Sequence, residues 1–189
     1  CYIESSPKND RLVYLSKADI EPYLLEISEL DLPVSLIGLT GGEPFLNPHI
    51  IEILETCLAK GFETLILTNA FRVLNKHKSD LLALQRKYQD KLHLRVSLDH
   101  YTKLGHEQQR GPKSFDGAIE GLKWLYDNGF NISIAARSIL GENPQQALDS
   151  YQDLLSKNDI KLNLAVNDKI VIFPEMIDDE NVPEITTSC

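Results

Sequence analysis

Short apolar runs alternate with longer amphipathic stretches along nearly the whole chain, and few folds accommodate that alternation. The runs at 35–39, 62–67, 93–96, 131–136 and 169–173 are too short for helices and read as strands. Between them, apolar residues recur at helical spacing. Ser16 is a natural N-cap for a first helix whose Ile20, Leu24, Ile27 and Leu30 fall on one face, and Leu32-Pro33 stops it. A helix over 49–60 buries Ile50, Ile53, Leu54 and Cys57 and closes at Gly61. Further helices are expected after Asn69, over 115–128 (closing at Gly129) and over 145–157. Strand–helix alternation of this kind predicts an α/β fold of parallel strands joined by helical crossovers. In such folds, functional groups collect at the carboxyl ends of the strands.

Three successive strand ends carry short hydrogen-bonding groups. The first strand runs into Thr40-Gly41-Gly42-Glu43-Pro44. A Gly-Gly step leaves backbone amides and carbonyls open to a small polar ligand. Glu43 adds a negative charge that complements an ammonium group, and Pro44 stiffens the exit. The same residues would also suit an ordinary βα turn with a first-turn acid. The second strand ends in Thr68-Asn69-Ala70 and the third in Ser97-Leu98-Asp99.

On these residues the chain resembles the core of the radical S-adenosylmethionine (radical SAM) superfamily. Gly41-Gly42-Glu43-Pro44 matches the family's GGEP motif, which contacts the methionyl amine. Thr68-Asn69 matches its threonine-asparagine-glycine strand end, with Ala70 in place of the glycine. Ser97-Leu98-Asp99 matches its serine-leucine-aspartate element, whose serine reaches the ribose. Arg137 stands where several members place an arginine near the methionyl carboxylate. Three roles are open to Asp99: orienting the strand end at Ser97, contacting the ribose, or facing the substrate. The family's glycine-rich element near the fifth strand matches 135–141 only loosely, which leaves the adenine contacts unassigned.

The resemblance implies a partial (β/α)6 TIM-like barrel whose first strand lies upstream of this chain. It also implies two cofactors, S-adenosylmethionine and a 4Fe-4S cluster held by three cysteines spaced C-x3-C-x2-C. Cys1, followed by the aromatic Tyr2, fits the third of these, so the chain is expected to be a fragment of a longer protein. The core is expected over 1–174 and an irregular acidic segment over 175–189. That segment ends in Cys189, a candidate ligand of an auxiliary cluster. The implied chemistry is reductive cleavage of S-adenosylmethionine to a 5′-deoxyadenosyl radical, which abstracts hydrogen from a small-molecule or peptide substrate. Such an enzyme takes its electron from a one-electron reductant such as flavodoxin or ferredoxin.

Composition narrows the partners. With 19 Lys plus Arg against 28 Asp plus Glu, the net charge is −9, and no basic stripe with interleaved aromatics is present. Nucleic acid is therefore not an expected partner. No apolar run is long enough to span a membrane. The three cysteines lie far apart and suggest no disulfide framework, in keeping with a reducing, cytoplasmic setting. Cys57 reads as a core residue. The polar segment 100–112 reads as a loop at the cofactor end that shapes substrate access, and its His100, Tyr101, His106 and Arg110 each read singly as surface residues. Two other readings compete with the radical SAM assignment. One is an aldolase-like barrel enzyme using Glu43 and Asp99, for which no strand-end lysine or histidine is apparent. The other is a noncatalytic barrel scaffold.

Overall fold

A computed structural model describes residues 13–138, 141–166 and 168–173. Cys1, Cys189 and the segment 175–189 lie outside the described residues. Five strands form one sheet: β1 (Leu36–Leu39), β2 (Glu63–Thr68), β3 (Leu92–Ser97), β4 (Asn131–Arg137) and β5 (Ile170–Phe173). They pair in chain order, and every pairing is parallel. The parallel order is the one the strand–helix alternation predicts, and the sheet curls into a half-barrel, as the family resemblance implied. The helices are α1 (Lys17–Glu29), α2 (Ile50–Ala59), α3 (Lys78–Tyr88), α4 (Lys103–Arg110), α5 (Ser114–Asp127) and α6 (Pro144–Lys157).

Strands β2 and β3 alternate cleanly. On β3, Leu92, Leu94 and Val96 are buried beneath the helices, while His93, Arg95 and Ser97 stand half-buried on the opposite, concave face. On β2, Ile66 is wholly buried with the helical side, and Leu65 and Leu67 take the concave side. The main core forms where Leu54, Leu58, Leu81, Leu122 and Leu125 cover these strands. A smaller cluster of Leu24, Cys57 and Phe62 fastens α1 beside α2, with Ile20, Ile27 and Ile37 packed around it. Cys57 is fully buried, as its helical position predicted. Leu30 is not: it caps the C-terminus of α1 and is 60% exposed. The Asp19 carboxylate accepts the Ser16 N–H at 2.7 Å, which fixes the expected start of α1.

The segment 100–112 departs from the sequence reading. Most of it is helix α4, begun by Thr102, whose side chain accepts the Gly105 N–H, and ended by Gly111 at φ 88°. The helix turns His106 inward to 1% exposure, and His100 is buried as well, so neither is a surface residue.

Candidate active site

The polypeptide turns tightly after β1 because Gly41 adopts φ 151°, a conformation L side chains rarely take. The next residues form a 3-10 turn, Pro44–Leu46, with Pro44 pre-set for its first position. This swings Glu43 across to β2. Its carboxylate accepts hydrogen bonds from Thr68 Oγ1 (2.8 Å), the Asn69 N–H (2.8 Å) and the Phe45 N–H (3.2 Å). Glu43 thus joins the ends of β1 and β2. All three donors are uncharged, so its negative charge is not neutralised by them. Burial pushes its carboxyl above the usual value, opposed by the bonds from Asn69, Thr68 and Phe45.

The turn after β2 is held just as closely. Thr68 Oγ1 accepts the Ala70 N–H (3.0 Å), and Asn69 Oδ1 accepts the Phe71 N–H (2.9 Å). Ala70 sits at φ 51°, so the residue that replaces the family's glycine carries a left-handed backbone at a cost of about 1 kcal/mol or more. Helix α5 crosses directly over this turn. A Cβ on Gly121 would lie 1.9 Å from the Ala70 carbonyl oxygen, and one on Gly117 would lie 1.9 Å from the Phe71 ring. The two glycines, one helical turn apart, are what allow the approach.

At the end of β3, Asp99 is 4% exposed and makes a two-point ion pair with Arg110. Arg110 Nε donates to Oδ2 (2.8 Å) and Nη2 to Oδ1 (2.9 Å). Arg137 Nε lies 3.5 Å from the same Oδ2. The backbone completes the anchor. The Asp99 carbonyl accepts the Arg137 N–H (3.1 Å), and His106 Nδ1 accepts the Asp99 N–H (3.2 Å). With Nδ1 accepting, the ring proton of His106 resides on Nε2, a buried atom with no partner among the described residues. Burial, then the charge of Arg110, holds His106 below the ordinary histidine value.

These strand ends surround a cavity of about 690 Å³, within the range of small-molecule sites. Seven of the residues singled out from the sequence line it: Gly41, Gly42, Thr68, Asn69, Ser97, Asp99 and Arg137. Glu43 and Pro44 stand behind the wall rather than in it. Arg110 and His106, which the sequence puts in a segment at the cofactor end but reads singly as surface residues, both line the cavity. Their spacing of four residues, between Thr102 and Gly111 as cap residues, was the available signal of a helix with an inward face. The cavity is electrically polarised. Unpaired negative charge stands behind its β1–β2 side, and two arginines share one aspartate on its β3–β4 side. That arrangement suits a zwitterion. Among the described residues no three His, Cys, Asp or Glu side chains are grouped to hold a metal ion, and Cys1 lies outside them.

A family model described as the radical SAM superfamily matches residues 1–154. The chain belongs to the radical SAM superfamily. It is 31% identical over 154 residues to the antilisterial bacteriocin subtilosin biosynthesis protein AlbA of Bacillus subtilis, a match covering 80% of this chain and 32% of AlbA. It is 33% identical over 131 residues to the probable GTP 3′,8-cyclase of Saccharolobus solfataricus, covering 68% of this chain and 39% of that protein. Streptococcus suis SuiB bound to S-adenosylmethionine has the same fold, with a TM-score of 0.61 at 17% identity over 89% of this chain and 36% of SuiB. SuiB bound to its precursor peptide SuiA aligns with a TM-score of 0.59 at 20% identity, covering 85% of this chain and 34% of SuiB. The chain thus spans about a third of the length of these relatives. Among the described residues no helix is long and apolar enough to cross a membrane.

Proposed function

We propose that this chain is the cofactor-binding core of a radical SAM enzyme that acts on a peptide. The observation that carries the reading is the polarised cavity at four parallel strand ends, lined by motif residues of the family to which the chain belongs. Bound together, a 4Fe-4S cluster and S-adenosylmethionine supply a 5′-deoxyadenosyl radical that abstracts hydrogen from an unactivated carbon.

In this reading Gly41 and Gly42 present backbone groups to the methionyl amine, and Glu43 behind them supplies the complementary charge. Pro44, Thr68 and Asn69 keep Glu43 in place. Arg137 faces the methionyl carboxylate, for which its planar guanidinium has matching geometry. Asp99 and Arg110 set the position of Arg137, and Ser97 offers its hydroxyl to the ribose. Cys1 contributes a thiolate to the cluster. The peptide substrate is inferred from AlbA, a bacteriocin biosynthesis protein, and from SuiB, solved with a precursor peptide. One-electron cleavage of S-adenosylmethionine calls for an electron carrier of the flavodoxin or ferredoxin type, and the oxygen sensitivity of an iron–sulfur cluster for a reducing, cytoplasmic compartment.

Calorimetric titration of the anaerobically reconstituted full-length protein with S-adenosylmethionine tests the assignment. Saturable binding that weakens in Arg137→Ala is expected. Absence of binding to wild type, or full affinity in the variant, would count against it.

A further inference from the structure

The radical SAM reading leaves one group of half-buried polar residues around the buried Ser133 without a task. It lies on the concave face below the cavity. Ser97 lines the cavity, and Arg95 occupies the same face of β3 two residues earlier, about 7 Å along the strand. Arg95 is in register with Leu67 on one side and Ser133 on the other, and Leu67 itself lines the cavity. Arg95 therefore stands on the same concave face, one row below the residues that line the cavity.

Its hydrogen bonds leave it largely unspent. Ser133 Oγ, wholly buried, accepts from Arg95 Nε (2.9 Å) and lies 2.8 Å from His93 Nε2. The Arg95 Nη groups, the part of the guanidinium that matches a carboxylate, have no partner among the described residues. Lys169 adds a second cation, donating to Asn131 Oδ1 (2.9 Å) and the Ile132 carbonyl (3.4 Å), both neutral. Among the described residues, neither Arg95 nor Lys169 lies within 4.0 Å of a carboxylate. His93 feels the resulting field. Burial, then the charges of Arg95 and Lys169, lower it to about 4, against the opposing charge of Asp168. Half-buried cations without counterions are costly, and a ligand anion would offset that cost.

We propose that Arg95 and Lys169, with Ser133 and His93 holding Arg95 in place, form a subsite for a carboxylate of the peptide substrate. The proposal rests on the radical SAM reading of the cavity above it. A carboxylate held here would fix which substrate carbon stands near Ser97, where the cofactor's ribose is placed. The carboxylate could belong to an acidic side chain or to a peptide C-terminus.

The test uses ligand-observed NMR on the reconstituted full-length protein with S-adenosylmethionine present. The probes are acetyl-Ala-Glu-Ala-amide, acetyl-Ala-Ala-Ala with a free C-terminus, acetyl-Ala-Gln-Ala-amide and inorganic phosphate. Binding of the first or the second, but not of the glutamine peptide, is expected and identifies which carboxylate is read. That binding should weaken about tenfold or more in Arg95→Gln, which keeps a donor for Ser133, and in Lys169→Met. Affinity for S-adenosylmethionine should stay unchanged in both variants, which also reports that they fold. Equal binding of the glutamate and glutamine peptides, carboxylate binding insensitive to both substitutions, or binding of phosphate alone would overturn the proposal. Failure of wild type to bind S-adenosylmethionine would instead overturn the radical SAM reading.

Discussion

Glu43→Gln is the substitution that most sharply separates a binding role from a merely local one. The wild-type carboxylate offers two oxygens to three donors: Thr68 Oγ1 and the N–H groups of Asn69 and Phe45. A glutamine amide offers one oxygen. If that oxygen replaces Oε1, the amide NH2 confronts the Asn69 N–H. If it replaces Oε2, the NH2 confronts the Phe45 N–H. Either way one backbone donor loses its partner, which costs about 1–3 kcal/mol, and the retained bonds lose their charge assistance. Relief of the buried charge's desolvation works in the opposite direction. The net expectation is a loss of about 1–3 kcal/mol in folding stability, read from urea denaturation at pH 7. Affinity for S-adenosylmethionine should fall by a similar 1–3 kcal/mol because the charge facing the ammonium group is gone. Stability lost with affinity intact would reduce Glu43 to a structural stitch between β1 and β2. Neither quantity changing would refute the bonding scheme itself.

Removing the partner of Asp99 in Arg110→Met should cost about 1.5–3 kcal/mol, less than a fully buried broken pair because Arg137 remains beside the carboxylate. A double-mutant cycle with Asp99→Asn should return most of that energy as coupling. Gly121→Ala gains about 1 kcal/mol of helix propensity but drives a Cβ against the Ala70 carbonyl. A net loss of about 1–3 kcal/mol in thermal denaturation is expected, and a stabilised variant would contradict the close crossing of α5. His93, lowered to about 4, is neutral in the folded protein at pH values where the unfolded chain takes up a proton. Its contribution is therefore complete above about pH 6.5 and is lost as the pH falls from there toward 4. Discounted for partial exposure, that contribution is about 1–2 kcal/mol, and His93→Gln should flatten urea midpoints measured across this window.

The strands were legible because five short apolar runs have no other use, and their parallel order follows from the helical stretches between them. The strand-end residues were legible because glycine, threonine, asparagine, serine and aspartate have little reason to follow buried strands in succession. Helix α4 was not. Its one large apolar residue, Leu104, is exposed, and the apolar periodicity that marks other helices is replaced by two residues, His106 and Arg110, whose inward face depends on Asp99. Leu30 satisfied the helical period yet points to solvent, because the partner cluster of Leu24, Cys57 and Phe62 ends before it. Gly117 and Gly121 carried no local signal either. Their need becomes visible only once Ala70 and Phe71 lie beneath α5. The polar row of Arg95 and Ser133 likewise depends on strand register, which a single sequence does not display.

The central claim, that this cavity serves radical chemistry on S-adenosylmethionine, is tested most directly by product analysis. The full-length protein, reconstituted with iron and sulfide without oxygen, would be given dithionite and S-adenosylmethionine, and 5′-deoxyadenosine would be quantified by chromatography. The account predicts 5′-deoxyadenosine from wild type and none from Cys1→Ala. A loaded cluster and bound S-adenosylmethionine with no 5′-deoxyadenosine, even with candidate peptides present, would contradict it.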